Sequence, residues 1–179
     1  FFAGLESLDL DIATTNLTIS YSRSGVTEAI TLSDSGVAGT TTIASAQGDT
    51  TDFVNPVGSL TVRGLDAQAG LGDLVNVVSF GSGFDASLLI EFVDMIVIDA
   101  PLNLGSMSSA GNLTLRADQI QLGESTIDTT GAPSAGSVLF DGDVILSTGV
   151  TVNTDGTAGD GAITFGGAID GPHSFALNS

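Results

Sequence analysis

Four short apolar segments decide how this chain reads. They are Ser87-Leu88-Leu89-Ile90, Asn112-Leu113-Thr114-Leu115, Ser137-Val138-Leu139-Phe140 and Ala162-Ile163-Thr164-Phe165. Each starts 25 residues after the one before. A second series lies between them: Met95-Ile96-Val97-Ile98, Gln119-Ile120-Gln121-Leu122 and Asp143-Val144-Ile145-Leu146. A third follows, Pro101-Leu102-Asn103-Leu104, Thr126-Ile127-Asp128-Thr129 and Thr151-Val152-Asn153-Thr154, again 25 apart. Three strand-like pieces per interval, repeated in register, are the signature of a chain wound on itself. The spacing predicts an all-β fold, a parallel β-helix (β-solenoid) with three short strands per coil. Inward rows follow from the register: Leu113, Val138 and Ile163 in one, Leu115, Phe140 and Phe165 in the next. Gly, Asp, Asn and Ser between the strands suit the corners, where backbone conformations that other residues resist are needed.

Outward from this stretch the interval loosens. From Ser59-Leu60-Thr61-Val62 to Ser87 it is 28 residues, with the excess around 64–73. From Asn16-Leu17-Thr18-Ile19 to Ser59 it is 43. Residues 1–179 therefore read as one solenoid segment, with irregular coils over 1–58 and regular ones over 59–179. The surplus falls between Gln47 and Gly58 and reads as a loop pushed out of one coil, either a tolerated insertion or a binding loop. Residues 85–99 also fit a helical face through Leu88, Leu89, Phe92, Met95 and Ile96. The three later copies favour strand there. The chain opens on Phe1-Phe2-Ala3-Gly4, without Met, and ends at Ser179 just after a strand-like piece. It is expected to be part of a longer protein, because solenoids stop on polar caps.

The chain of 179 residues carries a net charge of −18, with 17 Asp, 4 Glu and three cations, Arg23, Arg63 and Arg116, which are far apart in sequence. That field opposes nucleic acid and anionic membranes as electrostatic partners. It favours divalent cations or a salty exterior. There is no cysteine, hence no disulfide and no Cys metal site. The apolar content of 42% is too high for a disordered acidic tail. The longest apolar run, 88–98, is broken by Glu91 and Asp94 and is too short to span a bilayer.

Asp141-Gly142-Asp143 and the stretch from Asn153 to Asp160 place oxygen ligands on adjacent corners. Calcium takes about six to eight oxygens, more than one corner supplies. Asp141, Asp143, Asp155 and Asp160 are calcium candidates only if neighbouring coils combine; otherwise they are exposed turn formers. Asp9 and Asp11 share one side of an alternating strand and could pair as carboxylates, as in glycan-cleaving enzymes. Few cations, no Trp and a lone Tyr21 argue against an enzyme. His173, the single histidine, sits at a turn and reads as a surface residue. Asn16-Leu17-Thr18 and Asn112-Leu113-Thr114 match a glycosylation sequon but lie at strand starts. Thr40-Thr41-Thr42 and Thr50-Thr51 are local runs, not the regular ladder an ice-binding face requires.

Gly111-Asn112-Leu113-Thr114-Leu115, the stretch from Gly136 to Leu146, and Gly161 to Gly171 resemble repeats of giant bacterial surface proteins, the filamentous-haemagglutinin-like, adhesin-type β-solenoids. The resemblance covers about residues 59–179. It implies a right-handed helix, export to the cell surface and a structural or adhesive role, with a surface glycan or protein as target. It brings no catalytic residues. An alternative is a subunit that self-assembles end to end into an extracellular filament or sheath. Residues 70–77 are also similar to the calcium-binding nonapeptide repeat of RTX proteins, which implies a calcium role for Asp73. That motif works in tandem copies, and this chain has one imperfect copy.

Overall fold

The computed structural model describes residues 8–10, 13–21, 27–64, 72–105, 110–124, 126–131 and 133–179. In chain order the strands are β1 Leu8–Leu10, β2 Asn16–Ser20, β3 Ala29–Asp34, β4 Thr40–Ser45, β5 Thr50–Val54, β6 Ser59–Arg63, β7 Leu74–Val77 and β8 Ser87–Ile98. They continue as β9 Leu102–Asn103, β10 Leu113–Leu122, β11 Thr126–Asp128, β12 Val138–Leu146, β13 Val150–Asn153, β14 Ile163–Phe165, β15 Ile169–Asp170 and β16 Phe175–Asn178. No helix occurs among the described residues; 87–98 is a single strand.

The chain is a β-solenoid of about four turns with parallel pairing between coils. The 25-residue interval is the pairing register itself: Leu88 lies beside Leu113, Leu113 beside Val138, and Val138 beside Ile163. The looser interval obeys the same rule, with Leu17 beside Leu60 and Leu60 beside Leu88. Alternate residues point inward. Leu88, Ile90, Leu113, Leu115, Val138 and Phe140 are fully buried in one continuous core. Each such side chain contributes about 1.5–3 kcal/mol relative to exposure.

In three of the later coils the first two strand-like pieces are not separate strands, whereas in the last they are β14 and β15. In β8, β10 and β12 they run on as one strand bent at an irregularity. The third pieces form their own sheet, β16-β13-β11-β9. At the bend the coils differ in length while the flanking rows stay paired. Ile90 pairs with Leu115 and Leu115 with Phe140, yet beyond the bend Met95 pairs with Gln119 and Gln119 with Asp143. Each step therefore drops one residue at this corner.

Backbone groups at coil starts are capped in a polar ladder. Asn112 N–H donates to Ser87 Oγ at 3.0 Å, Ser137 N–H to Asn112 Oδ1 at 2.8 Å, and Ala162 N–H to Ser137 Oγ at 3.1 Å. Asn16 Oδ1 accepts from Ser59 Oγ at 2.8 Å in the first coil. Both sequon asparagines thus sit in this ladder. At another corner Thr129 and Thr154 Oγ1 donate to the carbonyls of Gly136 and Gly161, at 2.6 and 2.8 Å. A Cβ on either glycine would collide with the carbonyl of the glycine one coil back. Here coil rests directly on coil.

The N-terminal third departs from the expected loop. Thr50–Val54 is a strand, not part of an extruded loop. β4 pairs antiparallel with β3, and β5 antiparallel with β4, with Gly48 in the turn at φ 95°. The surplus of the 43-residue interval is therefore a hairpin that extends the sheet past the first coil, and β1 adds parallel to β5. Its inward side chains, Ile43 and Phe53, join the common core. A buried polar pair locks it down. Thr41 Oγ1 donates to Asn55 Oδ1 at 2.7 Å, and Gly81 N–H donates to Thr41 Oγ1 at 3.0 Å. The opposite end is thinner. Ile163, Phe165 and Phe175 are only partly buried, and Ile169 and Leu177 are 44% and 48% exposed.

Candidate functional site: a charged trough at the bend

The bend between the first and second pieces opens into a trough of about 640 Å³ across four coils. Its residues stack in rows set by the coil repeat. One row is Glu91, Arg116, Asp141 and Gly166; beyond it the pairing shifts, so that Ala117 lies beside Val93 and Phe92 is bulged out, with Gly142 and Gly167 lining the following coils. Asp118 and Asp143 line the far side.

The first row is an ion-pair ladder. Arg63 Nε donates to Glu91 Oε1 at 2.7 Å, and Arg116 Nη1 donates to Glu91 Oε2 at 3.3 Å. Arg116 Nε lies 3.6 Å from Asp141 Oδ2. Glu91 is nearly buried, with a side chain 8% exposed. Burying a carboxylate is costly unless it is paired, and two guanidiniums meet that cost here. Two of the three cations scattered along the sequence, Arg63 and Arg116, converge on one carboxylate, and Arg23 lies outside the described residues. The repeat held the signal. Arg63 precedes Glu91 by the 28 residues that separate Ser59 from Ser87, and Glu91, Arg116 and Asp141 are 25 apart.

Phe92, bulged out where the pairing shifts, is the described non-glycine residue with positive φ, 60°, and it is half exposed. A bulky residue in that conformation is an outlier. The later coils line the trough with glycines, Gly142 and Gly167. A Cβ on Gly142 would run into the Ala117 carbonyl, so this part of the floor is bare backbone.

The calcium candidates do not converge. Asp141 and Asp143 share the trough, where Asp141 faces Arg116 and Asp143 Oδ1 accepts Ala168 N–H at 2.9 Å. Asp155 and Asp160 sit together at a different corner. Asp155 N–H donates to Asn153 Oδ1 at 3.3 Å, and Asp160 Oδ1 accepts Gly156 N–H at 3.1 Å, both ordinary turn bonds. Asp73 is buried near the hairpin base. Its Oδ1 accepts Glu28 N–H at 2.7 Å and its own N–H donates to Asp94 Oδ2 at 2.7 Å. Residues 70 and 71 of the RTX-like stretch lie outside the described residues, so what is described at Asp73 is this backbone contact. Among the described residues no three His, Cys, Asp or Glu side chains gather as a metal site. Asp11 lies outside the described residues, and only the backbone of Asp9 is described. His173 is exposed in the last turn.

Near the hairpin base Glu28 Oε1 accepts from Ser45 Oγ, and half-buried Tyr21 lies close by. Burial, with the charges of Glu28 and Asp49, pushes the Tyr21 phenol well above the ordinary tyrosine range.

No family model, curated protein or solved structure matches the chain.

Proposed function

We propose that the chain is a structural and adhesive segment of a secreted or cell-surface β-solenoid protein. The observation that carries this reading is how completely the stack uses the sequence. Apolar rows fill one core, and Ser, Asn, Thr and Gly at the corners cap or pack backbone. What remains among the described residues includes a charged trough on the flank of the stack. The resemblance of residues 111–171 to adhesin-type repeats supports an extracellular setting, and the acidic surface suits one. Antibody raised to the purified chain tests the reading. It is expected to label intact source cells, and a deletion strain is expected to adhere less. Labelling only after permeabilisation overturns the location, and unchanged adherence overturns the role.

A second reading, end-to-end self-association, draws on the half-covered apolar rows of the last coil, Ile169 and Leu177 above all. Light scattering at two concentrations separates it: a constant monomer mass rejects assembly.

A further inference from the structure

We propose that the trough at the bend binds an uncharged polysaccharide chain, with the ring of Phe92 as its stacking platform. The proposal rests on the adhesive reading and names its ligand class. The shape comes first. The trough is lined by four successive coils, from Glu91–Val93 through 116–118 and 141–143 to Gly166–Gly167. Three coil steps of about 4.8 Å make it about 14 Å long. A run of that length suits a linear chain rather than an isolated small molecule.

Phe92 comes second. Glycine would take its positive φ without strain, yet the position carries a large ring that stays half exposed, while Phe53 and Phe140 are buried. That ring offers an apolar face to the trough and serves no core.

The polar groups decide the class. Glu91 is neutralised by Arg63 and Arg116. Arg116 is half exposed and holds its two carboxylates only at 3.3 and 3.6 Å, so N–H donors remain for a ligand. Asp118 and Asp143 bring acceptors to the opposite side. A polyanion meets three aspartates in a chain of net charge −18 and is repelled. A simple cation finds Arg116 set among its ligands. A polyhydroxylated, uncharged chain uses every group present. Its hydroxyls donate to the carboxylates and accept from the guanidinium, and its C–H faces cover the ring.

Affinity electrophoresis of the full chain in gels containing dextran, laminarin, mannan or xylan tests this, with polygalacturonate and chitosan as charged comparisons. At least one uncharged polymer is expected to retard the protein more than polygalacturonate does. Phe92→Gly is expected to weaken that retardation roughly tenfold, the scale of losing a central aromatic anchor, without changing the retardation by chitosan, which the net charge of −18 produces by itself. It should leave the melting temperature unchanged or higher, because glycine relieves the strained backbone. Asp143→Asn is expected to weaken binding while the fold persists. Retardation by chitosan or polygalacturonate alone overturns the proposal, as does no retardation by any uncharged polymer, or full binding by folded Phe92→Gly. None of these results bears on the surface location, which the antibody experiment measures separately.

Discussion

Glu91→Gln is the sharpest probe of the ladder at the bend. The substitution keeps the shape of the side chain and removes its charge. Glu91 is almost fully buried and accepts a charge-assisted hydrogen bond from Arg63 at 2.7 Å, plus a longer one from Arg116 at 3.3 Å. A hydrogen bond to a charged group contributes about 1.5–3 kcal/mol. Both arginines are half exposed, so water screens the pair and the lower part of that range applies. The expected loss is about 2 kcal/mol. For a chain of this size it corresponds to a melting temperature lower by about 4–8 °C. Asp141→Asn is the internal control. Its carboxylate is 56% exposed and 3.6 Å from Arg116, so it should cost no more than about 0.5 kcal/mol. Thermal melts followed by circular dichroism at low salt and at 1 M salt read both variants. High salt should erase the small Asp141→Asn effect, since the Debye length falls to about 3 Å, but leave most of the Glu91→Gln loss. Equal losses in the two variants would refute the reasoning. So would a Glu91→Gln melt within about 1 °C of wild type.

Two further outcomes follow from burial. Phe140 is fully buried, with its ring stacked on Phe165 at 5.3 Å, so Phe140→Ala should cost about 3–5 kcal/mol in urea unfolding. Phe165→Ala, in the half-covered last coil, should cost at most about half of that; an equal cost would contradict the picture of a thinner end. Tyr21 gives a pH test with a defined sign. Its raised pKa means that, above the ordinary tyrosine value of about 10, the folded state keeps a proton the unfolded state releases. That stability is fully present below about pH 10 and declines as pH rises toward the folded value. Tyr21 is the single tyrosine and the chain has no lysine, so tyrosinate absorbance reports this group directly. A midpoint at the ordinary value would refute the burial argument, and Tyr21→Phe should flatten the alkaline slope.

The regular coils were legible because each strand repeats an apolar alternation at a fixed interval, and that interval is the pairing register. The hairpin was not, for a local reason. In Thr50–Val54 only Phe53 is fully buried, so the segment lacks the alternation that marks a half-buried strand. Its partner is a near neighbour in sequence, so no coil repeat exposes it either. The trough escaped for the opposite reason. Glu91, Arg116 and Asp141 obey the repeat, but a charged column leaves no hydrophobic pattern, and its members look unrelated until read 25 apart. Composition alone did not place the calcium candidates: Asp141 and Asp143 line the trough, Asp155 and Asp160 share another corner, and Asp73 sits near the hairpin base.

The bend explains why a solenoid this regular can carry a site at all. The paired rows on either side, Ile90 with Leu115 and Phe140, and Ile96 with Ile120 and Val144, fix the core and tolerate little change. Between them the connection shortens coil by coil, from 62–74 to 90–95, 115–119 and 140–143, with no break in either set of rows. Length at this corner therefore varies without disturbing the paired rows, although Val93 and Ala117 still pack on the core. The coils touch here as they do elsewhere: a Cβ at Gly64 would strike the Phe92 backbone, and one at Gly142 the Ala117 carbonyl. The register shift bulges Phe92 into positive φ, and buried Glu91 is paired by its arginines, so the stack shapes the corner. What the stack does not use is the exposed Phe92 ring and the outer N–H groups of half-exposed Arg116, and that is the strongest reason to look there, rather than at the strand faces, for what this protein contacts.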